Sequence, residues 1–236
     1  MLYRLTLALL FISTTTIPNV SAATITGKII YEGKQPKLRP IKMDADPVCL
    51  THHSDKVMPK SISLSENNEL KHVLVFVANG VPKKAYPPHA EQFILDQKGC
   101  MYEPPVFAVM TGQEVKILNP DGTLHNVHSL SKVNPEFNLA MPKFRTEVIK
   151  IFEKEELWFP IKCDVHPWMV TYGNVFSHPY YDTTDEKGMF TIENLPAGDY
   201  VIEARQQRLS PQKVNVTLAE GETKEINFTF SRPDGE

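Results

Sequence analysis

Apolar and polar side chains alternate along this chain in short bursts, and the period is that of strands rather than helices. Residues 24–31 alternate as a half-buried strand does, and 33–40 read as a turn-rich exit from it. In Val73-Leu74-Val75-Phe76-Val77 both faces are apolar, which predicts a strand covered on each side. Tyr86-Pro87-Pro88 closes that unit. Further strands are predicted at 93–95, 106–110, 115–118, 148–152, 157–163 and 174–176, with turns at Gly112, Pro120-Asp121-Gly122 and Pro142. Near the end come four more, at 189–192, 200–204, 214–218 and 226–230. Val214, Val216 and Leu218 share one face, and so do Ile226, Phe228 and Phe230. Turn residues separate these runs: Asp185 to Gly188, Leu195-Pro196-Ala197-Gly198 and Glu220-Gly221.

The expected fold is therefore all-β: a Greek-key barrel or sandwich flanked by an N-terminal β segment and a small C-terminal β-sandwich. The boundaries expected are 1–22 for an export signal, 23–90 for the N-terminal segment, 91–178 for the central domain and 179–236 for the last module. The signal rests on Arg4, the apolar run 5–12 and the small residues Val20-Ser21-Ala22. That run is far short of the ~20 residues that cross a bilayer, so no membrane span is expected once the signal is removed. The expected location is periplasmic or secreted.

A net charge of −3 and the absence of any basic run argue against nucleic acid as a partner. Three cysteines in an exported chain leave one over after any single disulfide. We expect Cys49 to pair with Cys100 and Cys163 to stand apart, protected as a metal thiolate. The plainer alternative is two bystander thiols and a buried Cys163.

The chemistry concentrates in Lys162-Cys163-Asp164-Val165-His166-Pro167-Trp168-Met169, where a thiolate, an imidazole and a thioether recur at intervals of three. One loop leaving a strand can fold those three side chains around a point. Soft sulfur donors favour Cu(I), imidazole binds both copper states, and two histidines with one cysteine and a weak axial methionine make a blue-copper set. Zinc seldom takes methionine. The second histidine must come from Asn119 to His128, where His125 and His128 compete; in an extended segment residues three apart face opposite ways. We choose His125, which follows the turn directly. Asn126 can then tie the two ligand loops together.

At these residues the chain resembles the cupredoxins, most closely the amicyanin and plastocyanin branch, through Leu124-His125-Asn126-Val127-His128 and the Cys-x-x-His-Pro-x-Met of 163–169. The resemblance implies a Greek-key fold holding one type 1 copper through His125, Cys163, His166 and Met169, with a dehydrogenase or cytochrome as redox partner. It also implies that one ligand histidine links metal to solvent, a task that suits the loop position of His166. The whole chain is similar to exported bacterial proteins labelled methylamine-utilisation or plastocyanin-like, through residues 96–102 and 178–180. It departs from them at Pro105, where those proteins carry histidine. Residues 180–230 resemble carboxypeptidase regulatory-like domains, without any peptidase zinc motif.

The expected protein is thus an electron carrier rather than a catalyst; no Gly-x-Ser-x-Gly or His-Glu-x-x-His occurs. The alternative is a non-redox copper-binding or delivery protein, or an adhesion module with a structural metal. Trp168 is expected either in a docking patch or packed between modules. His52 and His53 are expected to be solvated or weak metal scavengers rather than a second metal site, and His89 and His178 structural.

Overall fold

The computed structural model describes residues 21–232. The proposed signal, 1–22, lies outside the described residues apart from Ser21 and Ala22. Among the described residues no helix is long and apolar enough to cross a membrane. The fold is all-β, with a single five-residue α-helix, Pro47–Thr51, among the described elements.

The first and last parts of the chain interleave. Strand Ala23–Tyr31 pairs antiparallel with Met189–Leu195 on one side and parallel with Thr223–Glu225 and Phe228–Phe230 on the other. Its burial alternates strictly, so Ala23, Ile25, Ile29 and Tyr31 point into a core while the residues between them are partly exposed. A second sheet, facing that core, has the order Tyr181–Thr183, Leu74–Asn79, Gly198–Gln206, Leu209–Leu218. The strand pattern of the sequence suggests separate segments at 23–90 and 179–236; in the structure both contribute strands to the same two sheets. The C-terminal runs alone present edges that Ala23–Tyr31 and Leu74–Asn79 complete, because unpaired backbone N–H and C=O groups seek a ladder.

Between the two halves of this sandwich the chain builds a second unit. One sheet is Glu147–Ile151, Glu114–Leu118, Phe93–Asp96; the other is Val106–Met110, Val170–Phe176, Glu156–Lys162, His125–Ser129, Phe137–Met141. Both sheets are open, giving a sandwich rather than a closed barrel. Leu95, Val109, Val115, Ile117, Val127, Phe152 and Ile161 fill the space between them.

The doubly apolar strand predicted at 73–77 has a specific cause. Val73, Val75 and Val77 join the core of the first sandwich, while Leu74 and Phe76 pack on Val106 and Phe176 of the second. Phe76 and Phe176 meet at 5.1 Å between ring centroids. His178, buried at this seam, lies against Phe176 and Tyr180. Gly173 permits close approach on the facing strands: a Cβ there would stand 2.4 Å from Phe159 and 2.9 Å from Phe107.

Candidate metal centre

The strand ladder sets the site. Lys162 lies opposite His128 and Ile161 opposite Ser129, so the chain leaving the end of one strand at Cys163 meets the chain entering the other at His125. The loop 163–169 closes on itself: Met169 N donates to His166 O at 2.9 Å and Cys163 N to Met169 O at 3.2 Å. The preceding turn is held by Asn119, which donates to the carbonyls of Thr123 and Met141 and accepts from the amide of Asp121. Tyr102 ties these two strand ends together, its buried hydroxyl donating to the carbonyls of Asn126 (2.9 Å) and Lys162 (3.3 Å).

The result brings three donors together. His125 Nδ1 is 3.0 Å from His166 Nδ1, and Cys163 Sγ is 3.6 Å from His166 Nδ1. All three side chains are buried, and their donor atoms lie within 4.8 Å of one another. Atoms bound to one ion at about 2.0–2.3 Å stand roughly 3–4 Å apart, a range that contains both of these separations. Met169 is fully buried in the same apolar cluster as Cys163. Asn126 accepts from the amide of Asp164 at 2.5 Å and donates to its carboxylate at 3.1 Å, linking the loops. His128 points away, partly exposed between Asp164 (3.0 Å) and Glu136 (3.2 Å).

Two carboxylates that the sequence motifs do not include complete the site. Asp121 Oδ2 is 2.9 Å from His125 Nε2, and Asp46 Oδ2 is 3.0 Å from His166 Nε2. An acceptor at Nε2 keeps a proton on that nitrogen, so a ring that loses its other proton to bind a metal would offer the Nδ1 lone pair. Asp121 was legible only as a turn residue, although it stands four positions before His125. Asp46 is 120 residues from His166 and carried no signal.

The electrostatics follow from these contacts. Burial works against a charged His125, but the Asp121 carboxylate and the Cys163 sulfur outweigh it and raise its pKa to about 9. Burial likewise pushes the Cys163 thiol up, yet hydrogen bonds from His125 and from the amides of Asn126, His166 and Val165 bring it below its usual value. His166 is lowered, by burial first and by the charge of His125, against the pull of Asp46.

One expectation is overturned. His166 does not form a solvent edge: it is 1% exposed. Segment 43–53 lies over it, bringing Asp46 to its Nε2 and Cys49 Sγ to 3.5 Å from the same nitrogen. Cys49 is disulfide-bonded to Cys100, and Cys163 is free and buried. Trp168 packs beside His166, with ring centroids 5.2 Å apart, and donates to Cys100 O at 3.0 Å. His52 is exposed and His53 half-buried, and each also reaches a carbonyl, of Asp121 (3.3 Å) and Gly99 (2.7 Å).

Residues 173–231 match the carboxypeptidase regulatory-like domain family. That match omits Ala23–Tyr31 and Leu74–Asn79, which complete its sheets here. No curated protein matches the chain. Among solved structures the chain is similar to a purple cupredoxin from Nitrosopumilus maritimus, at 25% identity over 36% of this chain and 97% of that one, with a TM-score of 0.28. It is similar to a point mutant of amicyanin in its oxidized state, at 26% identity over 43% of this chain and 90% of that one, TM-score 0.32. A copper-containing nitrite reductase from Thermus scotoductus SA-01 aligns at 19% identity over 42% of this chain, TM-score 0.32, and the chain spans 25% of that enzyme.

Proposed function

We propose that this chain is an exported copper protein that passes single electrons between redox partners, and that His125, Cys163 and His166 would hold one ion with the Met169 thioether as a further, weaker donor. The observation that carries the reading is the convergence of two imidazole Nδ1 atoms on one unpaired, buried cysteine sulfur. One thiolate, two imidazoles and a thioether form a donor set suited to copper in both oxidation states and poorly suited to structural zinc. Bound copper supplies a one-electron couple. The chain's own residues supply the rest: Asp121 and Asp46 orient the rings, Asn126 locks the ligand loops, and the surrounding apolar cluster excludes water. A dehydrogenase or cytochrome is the partner class this role requires. Export to the periplasm or beyond agrees with the Cys49–Cys100 disulfide.

A second reading, a protein that holds or delivers copper without passing electrons, is favoured by the burial of His166, which closes the edge nearest the metal. The optical and paramagnetic spectra of copper-loaded protein test the site. An intense thiolate-to-copper band, lost in Cys163→Ser while Cu(II) is still bound, supports the assignment; no such band in the parent protein overturns it. Reversible electrochemical reduction favours the carrier, and rapid surrender of Cu(I) to a chelator favours delivery.

A further inference from the structure

We infer that residues 43–53 are a cover fastened over the metal pocket by the Cys49–Cys100 bond, that Asp46 within it is a positioning residue for His166, and that the thiol–disulfide state of this cysteine pair governs access to the pocket. The part concerning bound copper rests on the function proposed above; the cover itself does not.

The segment is poorly equipped to hold itself down. From 42 to 56 only Met43 and Cys49 are buried, and Val48 and Leu50 face solvent. A five-residue helix cannot sustain itself in water. Apart from Met43 and Cys49, which join the apolar cluster, its attachments are polar. Asp46 caps the helix through the Val48 amide (2.8 Å) and accepts from Thr123 (2.9 Å) while meeting His166; His53 reaches Gly99 next to Cys100. Between the two cysteines the chain is pinned by paired strands, Leu74–Asn79 and Phe93–Asp96, so opening the cross-link in the folded protein frees the segment around Cys49. Without it, the entropy of a mostly exposed segment opposes a handful of hydrogen bonds.

The switch is chemically complete with a dithiol as reductant. Both cysteines are fully buried, so attack follows a transient lifting of the exposed segment: the thiolate then attacks one sulfur, the Cys49–Cys100 bond breaks, and the second thiol displaces the mixed disulfide. Two electrons and two protons pass to Cys49 and Cys100, and the reductant leaves as its own disulfide. Asp46 can then leave Nε2 of His166, and the imidazole edge faces water.

The first test needs no metal. With the disulfide formed, Cys163 is the only free thiol, and it remains the only one in the double variant Cys49→Ser/Cys100→Ser. Iodoacetamide should alkylate Cys163 in the metal-free double variant at least tenfold faster than in the parent. Equal rates in a variant that keeps the parent's circular dichroism overturn the cover. Should that variant not fold, hydrogen exchange of the parent before and after dithiothreitol decides. Protection lost at 43–53 and 163–169 but kept in Leu209–Leu218 supports the inference; unchanged protection at 43–53, or loss throughout, overturns it.

The role of Asp46 is read on the copper-loaded protein. Asp46→Asn retains an acceptor for Nε2–H but no charge, so alkylation of the metal-free form should stay slow while the reduction potential rises. Asp46→Ala should both raise the potential and speed alkylation. Unchanged potentials in both variants remove Asp46 from the positioning role. Failure to bind copper at all would sink the proposed function and leave the alkylation and exchange results standing.

Discussion

The Asp121 carboxylate stands 2.9 Å from Nε2 of His125 with both side chains almost wholly buried, and it also accepts from the amides of Gly99 and Cys100 at 2.7 Å each. Gly99 and Cys100 both adopt positive φ, the conformation that turns their N–H groups toward one acceptor. One side chain thereby fixes the His125 ring and the cysteine that anchors the cover.

Replacing Asp121 should damage stability and metal binding together. Asp121→Ala strips the partner from a buried imidazolium and leaves two amides unpaired, so urea unfolding of the metal-free protein should show a loss of about 3 kcal/mol. Copper affinity, measured by chelator competition, should fall about 10–100-fold.

His128 provides the contrasting case. It lies on the strand that carries His125 but pairs with Asp164 and Glu136 at the surface. His128→Ala should leave the copper spectrum unchanged and alter stability by less than about 1 kcal/mol, as expected for an exposed ion pair. Loss of the thiolate band in this variant would mean the wrong histidine is assigned.

Gly173 tests the packing behind the site. The close approach of the Phe159 and Phe107 rings leaves no space for a methyl group. Gly173→Ala should cost about 1–3 kcal/mol by thermal or urea unfolding, through overpacking rather than backbone strain.

Glu156 should make the fold acid-sensitive. Burial raises a carboxyl's pKa, but Ser131, Asn134 and the Lys132 amide outweigh it here and hold Glu156 down at about 2, from an ordinary 4.5. A group depressed in the folded state contributes its stability above the unfolded value and loses it as pH falls toward the folded one. Between about pH 4.5 and 2 the parent protein should therefore lose up to about 3 kcal/mol that Glu156→Gln never had. Urea unfolding across that window checks it: the two stability curves should converge toward the acid end.

Local patterns in the sequence reported what local geometry decides. Alternation in 24–31 and 214–218 located strands and their inward faces, and the double apolar face of 73–77 foretold a strand with two neighbours. The three-residue spacing of Cys163, His166 and Met169 described a loop that closes by its own hydrogen bonds. Other strands escaped notice: His125–Ser129 is polar at His125, Asn126 and His128, and Phe137–Met141 has no strong pattern. What covers a face is decided elsewhere in the chain. Nothing near His166 announces Asp46, and a five-residue helix with one buried residue, Cys49, leaves no periodic trace, so the solvent edge expected for His166 was misjudged. Likewise, the C-terminal strands gave no hint that Ala23–Tyr31 would slot between them.

That slotting has a kinetic consequence. Ile25 sits opposite Ile192 and Ile29 opposite Phe228, so the first strand can find its neighbours only after nearly all of the chain has emerged. The central unit draws on closer stretches and can assemble while Ala23–Tyr31 is still solitary, a bare edge open to the wrong neighbour. Delayed synthesis or translocation of the final strands should accordingly yield aggregates seeded by the amino-terminal strand, with the central unit already folded.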